Sequence, residues 1–333
     1  MALEFTLNNG KTMLSQMQAG LQNSGNFDSF ESLYVEFTRQ LIYMCSCAMK
    51  MTDLCEAHYK QVHSAPIFSG TYTSALEKGG DLYCDYTAKY NNSSVNGIGL
   101  ATAVDSLVAI KKLVYDDKIM TLDNLIEILK SNWKNQEALR LTIKNKFPKF
   151  GLNEGRTDKI AKDIVDVMHK AISGKPNVKG GVYRLGLFSI NWRWEFGEKT
   201  GASADGRLAG ETLSQNTSAA FGADRDGATA HLLSVASIDT SKTPNGAIVD
   251  IDLHSSAVRG ENGLNTLFST LKTYFELGGF AVHYNVLDTE VLKDAKLNPE
   301  KYPNLQVRLC GWNVLFSSLS EKEKDEFIAR SIK

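Results

Sequence analysis

Apolar residues recur every three or four positions at Phe30, Leu33, Phe37, Leu41, Cys45, Ala48, Met51 and Cys55. That spacing draws one stripe down a helix, and Asp28 with Glu31 has the spacing of a capping box at its start. The helix is expected to run from about residue 28 to His63, ahead of Pro66. Residues 101–117, 121–132 and 157–173 repeat the same period and read as three more amphipathic helices, so the first half is expected to be mostly helical. The opening ALEFTLNNGK reads as the tail of a helix whose N-cap and preceding turn are missing, with the expectation that something belongs upstream.

From Lys179 the pattern changes to glycine-punctuated segments rich in β-branched and aromatic residues. VYRLGLFSINWRWEF, AIVDIDLHSSAV, FAVHYNVLD and LQVRLCGWNVLF are the expected strands. Between them a helix is expected from Asn262 to Leu277, stopped by Gly278-Gly279, and a short one after Asp288. Ser320 and Glu323 open a last helix that runs to the C-terminus. Strands alternating with helices favour an α/β layered or barrel architecture over a sandwich.

Composition narrows the function classes. With 43% hydrophobic and 23% charged residues, the 333-residue chain can bury a sizeable core. Lys+Arg 37 against Asp+Glu 38 leaves a net charge of -1, which gives no general field for nucleic acid or an anionic membrane. No apolar run reaches the roughly 18 residues of a membrane span, and the N-terminus lacks a signal-peptide pattern, so the expected compartment is the cytoplasm. The odd count of five cysteines agrees with reduced thiols.

Isolated motifs carry little chemistry. Gly97-Ile98-Gly99 resembles half of a dinucleotide fingerprint, but Thr102 stands where the third glycine belongs, and the polar run YNNSSVN precedes it in place of an apolar strand. Cys45 and Cys55 fall on the apolar stripe of one helix, where cysteine acts as a small hydrophobe and not as part of a metal cluster with Cys47. His254 and His283 lie in expected strands beside polar residues, and both a structural and a functional role stay open for each. No HExxH, Walker loop, nucleophile elbow or paired-carboxylate motif is present.

Several segments agree in order and spacing with one family: NGIGLATAVDSLVAIKKLVYDDK, TGASADGRLAGE, NTSAAFGADRDGATAHLLSVASID, LKTYFELGGFAVHYNVLD and VRLCGWNVLFSSLSEKEKDEFIARS. Together they resemble the C-terminal part of the glycyl radical enzymes, which include pyruvate formate-lyase and radical dehydratases, and the resemblance covers nearly the whole chain. It implies that an S-adenosylmethionine-dependent activating enzyme removes a hydrogen atom from Gly311, within Arg308-Leu309-Cys310-Gly311-Trp312. Glycine suits this because its planar α-carbon radical spreads into both flanking amides without side-chain crowding. By resemblance, Arg308, Cys310, Trp312 and Arg330 support the radical loop. Leu309 and Trp312 depart from the commonest loop, as does His283, where glutamine is frequent.

The resemblance further implies half of a ten-stranded α/β barrel with outer helices, here residues 1–260, followed by a glycine-radical domain, 261–333. The family's radical-accepting cysteine, commonly followed two residues later by a glutamate, would lie upstream, and none of the five cysteines here fits its loop. The expectation is a split anaerobic lyase whose N-terminal half-barrel and cysteine sit on a partner chain. The implied reaction is dehydratase-like C–O cleavage of a small polyol or sugar-like substrate. Alternatives are an arylacetate decarboxylase, another C–C, C–N or C–S lyase, or a repair subunit replacing an oxygen-damaged glycyl domain. Phe188, Asn191, Trp192, Trp194 and His254 are the expected pocket residues, subject to strand alternation. No metal and no organic cofactor other than the glycyl radical itself is expected in this chain.

Overall fold

The computed structural model describes residues 1–190, 192–309 and 311–331. Asn191 and Cys310, both expected site residues, lie outside them.

The long first helix spans Phe30–Ala57. Its cap is Ser29 and not Asp28: Ser29 Oγ accepts the Ser32 N–H at 3.1 Å, and Ser32 Oγ accepts the Ser29 N–H at 3.3 Å. Leu33, Phe37 and Cys45 are buried on its stripe, whereas Cys55 is exposed beyond the point where the core covers the helix. The opening segment is a short helix, Ala2–Leu7, packed on this long one. The expected helix after Gly99 forms over Leu100–Ile110 and continues as a π-helix to Asp116. Helices at Leu122–Lys130 and Gly155–Ile172 follow as expected, and Glu137–Lys146 adds another.

Among the described residues, six strands organise the rest. β1 (Ser93–Asn96) runs parallel to β2 (Tyr183–Gly186), with Ser93 opposite Tyr183. β3 (Ile248–His254) runs parallel to β4 (Ala281–Leu287), with Ile248 opposite Ala281. A single parallel bridge, Leu187 to Ala247, joins the two pairs into one arc. β5 (Gln306–Leu309) and β6 (Trp312–Leu315) form an antiparallel hairpin beside β4. The parallel crossovers pass through helices, as parallel strands require.

Two expectations fail here. The polar run before Gly97 is a strand after all, because Ser93 is buried and donates to Glu56 Oε2 at 2.6 Å. Gly97 is then needed for packing: a Cβ there would stand 2.8 Å from Met168 Cε and 2.9 Å from Leu187 Cδ2. The segment VYRLGLFSINWRWEF is not one strand. It leaves the sheet after Leu187, Ile190 takes a left-handed φ of 45°, and Trp192–Glu198 is helical. Asn216 causes the turn, its Oδ1 accepting both the backbone N–H (2.7 Å) and the hydroxyl (3.0 Å) of Ser189.

The main core lies between the helices Phe30–Ala57, Leu100–Ile110 and Gly155–Ile172 and the arc of strands. A second, smaller core gathers Leu287, Leu292, Ala295, Val307, Phe316, Leu319 and Phe327 around the hairpin and the C-terminal helix Glu321–Ser331.

Candidate active site

The β5–β6 hairpin pairs Leu309 with Trp312, and Gly311 sits in the turn just before β6. Gly311 has φ +88°, a left-handed conformation that glycine adopts without strain. A side chain at Gly311 would meet His283 first: a Cβ would stand 3.4 Å from its Cε1 and 3.6 Å from its Nε2.

Asn285 on β4 fixes the hairpin. It is buried, its Oδ1 accepts the Arg308 N–H at 2.9 Å, and its Nδ2 donates to the Arg308 carbonyl at 3.3 Å. The same amide nitrogen donates to Asp252 Oδ1 at 3.1 Å, across the register that sets Asp252 opposite Asn285. Asp252 Oδ2 accepts from Arg330 Nε at 2.6 Å. Arg330 lies 3.7 Å from Glu326, whose Oε1 also takes a hydrogen bond from Arg193 at 2.8 Å. One polar chain thus runs from the hairpin through β4, β3 and the C-terminal helix to the helix Trp192–Glu198. Burial alone would lower the pKa of Arg330, but Asp252, Glu326 and Asp250 outweigh it and raise it above the usual arginine value.

A parallel set sits one step back on the same strands. Asp250 is opposite His283, with His283 Nδ1 3.4 Å from Asp250 Oδ1, an ion-pair distance without hydrogen-bond alignment. Asp250 Oδ2 accepts from Asn216 Nδ2 at 2.6 Å, and the Asp250 N–H donates to Ser218 Oγ at 2.9 Å. A cavity of about 580 Å³ opens beside these groups, lined among others by Arg193, Asp250, Asp252, Glu326 and Arg330.

The sequence-derived residues are therefore dispersed. Arg330 is built into the buried network, and Arg308 belongs to it through its backbone, while its guanidinium donates to Asn313 Oδ1 at 3.0 Å. Trp312 follows Gly311 and is 70% exposed. Trp192 and Trp194 do not alternate on a strand. Trp192 is exposed and packs on Phe196, whereas Trp194 lies under the Arg193 guanidinium, 4.2 Å from its ring centre, and against the second core together with Phe188. His254 is exposed at the end of β3 with Nδ1 2.8 Å from Ser256 Oγ, away from the hairpin network. Asp250, Asp252, His283 and Asn285 form the centre of the site, and of these only His283 was singled out in the sequence. The signal for the others was polar residues at period two on otherwise apolar strands, IVDIDLH facing AVHYNVL.

Among the described residues, no group of three or more His, Cys, Asp or Glu could hold a metal ion, and no helix is long and apolar enough to cross a membrane.

Residues 1–197 match the family model described as pyruvate formate lyase-like, and residues 213–317 match the one described as glycine radical. Trans-4-hydroxy-L-proline dehydratase of Clostridioides difficile is 35% identical over 331 residues, which is 99% of this chain and 42% of that protein. (2S)-3-sulfopropanediol dehydratase of Klebsiella oxytoca is 27% identical, covering 99% of this chain and 41% of its own length. The glycerol-bound B12-independent glycerol dehydratase of Clostridium butyricum superposes with a TM-score of 0.92 at 32% identity, over 99% of this chain and 42% of that one. The arc of parallel strands is thus part of a glycyl radical enzyme barrel, and the chain spans about two-fifths of the length of these relatives. A match of this extent, ending in a glycine-radical segment that holds the Gly311 hairpin, makes the chain a member of the pyruvate formate lyase-like glycyl radical enzymes.

Proposed function

We propose that this chain is the glycyl-radical part of an anaerobic radical lyase in which Gly311 stores the unpaired electron. The observation that carries the reading is Gly311 itself, a left-handed hairpin glycine within the glycine-radical match, held against His283. An S-adenosylmethionine-dependent activating enzyme takes one hydrogen atom from its α-carbon. The radical then takes a hydrogen atom from a cysteine thiol on the complementary half-barrel. The resulting thiyl takes hydrogen from the substrate, elimination follows, and the hydrogen is returned. Arg308, Cys310, Trp312 and Arg330 support the radical loop.

The bond proposed to break is C–O in a small hydroxylated substrate. The identity to two dehydratases supports this. The two tryptophans give an arylacetate decarboxylase no support, because Trp192 and Trp194 face different surroundings. Phe188, Asn191 and His254 stay pocket residues only in this proposal. The radical domain is proposed to begin at about residue 261, and the separate core around Leu292, Phe316 and Phe327 supports a unit of its own there. The cytoplasm is the proposed compartment, consistent with the free thiols of Cys45, Cys47 and Cys55.

The test is mass spectrometry after air exposure of the chain assembled with its complementary half and activated anaerobically. Oxygen is expected to cut the wild-type chain at Gly311 and to leave Gly311→Ala whole. Equal cutting of both, or of neither, contradicts the assignment.

A further inference from the structure

We propose that His283 is a positioning residue for the glycyl centre. The edge of its imidazole closes the side of Gly311 on which a side chain would stand, and Asp250 faces the ring from behind. The inference rests on Gly311 as the radical site.

The Gly311 Cβ direction meets His283 Cε1 at 3.4 Å and Nε2 at 3.6 Å and, among the described residues, nothing else within 4 Å beyond its chain neighbours. One α-hydrogen of the glycine therefore points at the edge between these two ring atoms. The ring is itself restrained. His283 and Asp250 face each other across the β3–β4 register, with 3.4 Å between Nδ1 and Oδ1, and only 13% and 2% of their side chains are exposed. Asp250 is in turn anchored by Asn216 and Ser218, and Asn216 by Ser189. The carboxylate behind His283 is thus anchored to the 216–218 segment and, through Asn216, to Ser189.

The physical consequence concerns the radical after it forms. Loss of one hydrogen flattens the α-carbon, and the remaining C–H bond must lie in the plane of its two amides for the spin to spread into them. A ring edge that leaves room for little more than a Cβ on that side blocks the rotations that would swing the α-carbon toward β4 and out of that plane. Removing the ring opens that side of the turn to several backbone conformers, each with its own coupling of the α-proton to the unpaired electron.

The experiment is electron paramagnetic resonance on the anaerobically activated complex of this chain with its complementary half, comparing wild type, His283→Ala, His283→Gln and Asp250→Asn. In His283→Ala the doublet is expected to broaden and the radical to decay about threefold faster or more. His283→Gln, which keeps a planar polar edge of similar reach, restores shape and lifetime, and Asp250→Asn falls between. A residue that only stabilised the fold would lower the yield of assembled complex without changing the line shape per spin. If His283→Ala fails to assemble, the Asp250→Asn spectrum carries the test, and a doublet identical to wild type overturns the proposal. An unchanged shape and lifetime in assembled His283→Ala overturns it while leaving Gly311 as the radical site. Absence of any Gly311-dependent doublet in wild type removes the underlying reading and this inference with it.

Discussion

Asn285 grips the backbone of Arg308 on both sides, accepting its N–H at 2.9 Å and donating to its carbonyl at 3.3 Å. A side-chain amide reproduces here the two bonds that a neighbouring strand would make, so the radical hairpin docks on β4 without joining its sheet. Asn285→Ala leaves both Arg308 groups and Asp252 Oδ1 short of a partner. A loss of about 1–3 kcal/mol is expected in denaturant unfolding of the assembled protein, with faster hydrogen exchange at the Arg308 amide. Unchanged exchange there would mean that the hairpin is held by other contacts.

Arg330 stands between two carboxylates, Asp252 and Glu326, with only 13% of its side chain exposed. Arg330→Met keeps much of the side-chain volume but leaves Asp252 without its cation, while Glu326 keeps Arg193. The expected loss is about 3–5 kcal/mol, larger than for Asp252→Asn, because breaking a buried pair from one side leaves the other charge uncompensated. Unfolding curves of the two variants check this order, and equal losses would show that the guanidinium matters only through its packing.

Asp105 offers a test by pH. Burial pushes its carboxyl up to about 7, against the opposing pull of Lys149 and of the Phe150 N–H. The unfolded chain releases this proton near the ordinary value of about 4. Between these limits the folded state holds more protons than the unfolded one, so Asp105 makes stability fall as pH rises from about 4 to about 7 and adds no slope above that. Asp105→Asn should remove this fall, measured as the difference in unfolding free energy between about pH 5 and about pH 8. The same pH profile in both proteins would contradict the burial argument.

Much of the helical framework could be read from periodicity alone, because the long helices carry their own apolar stripes. The turn at Ser189–Trp192 could not, since it depends on Asn216, which lies 27 residues further along the chain. β1 hid for a related reason: its buried serine is satisfied by Glu56, 37 residues earlier. The Arg308–Trp312 loop is a local pattern, legible as written. Asp250, Asp252 and Asn285 look like the polar face of ordinary strands until the β3–β4 register sets them opposite His283 and one another and beneath the hairpin.

Trp194 shows the same limit from the other side. A strand reading placed it in a substrate pocket, whereas the helix turns it onto the second core and under Arg193. Trp194→Ala is therefore expected to cost about 3 kcal/mol of stability through lost packing, read by thermal or denaturant unfolding. A variant of native stability with altered substrate affinity would return the residue to the pocket.

The central claim is that Gly311 holds the radical. Its most direct test is electron paramagnetic resonance on the anaerobically activated complex, prepared with ordinary glycine, with glycine labelled with carbon-13 at the α-carbon, and as Gly311→Ala. The account predicts a doublet in the wild type that gains further splitting with the label and vanishes in the alanine variant. A signal that ignores the label, or survives in Gly311→Ala, would contradict it.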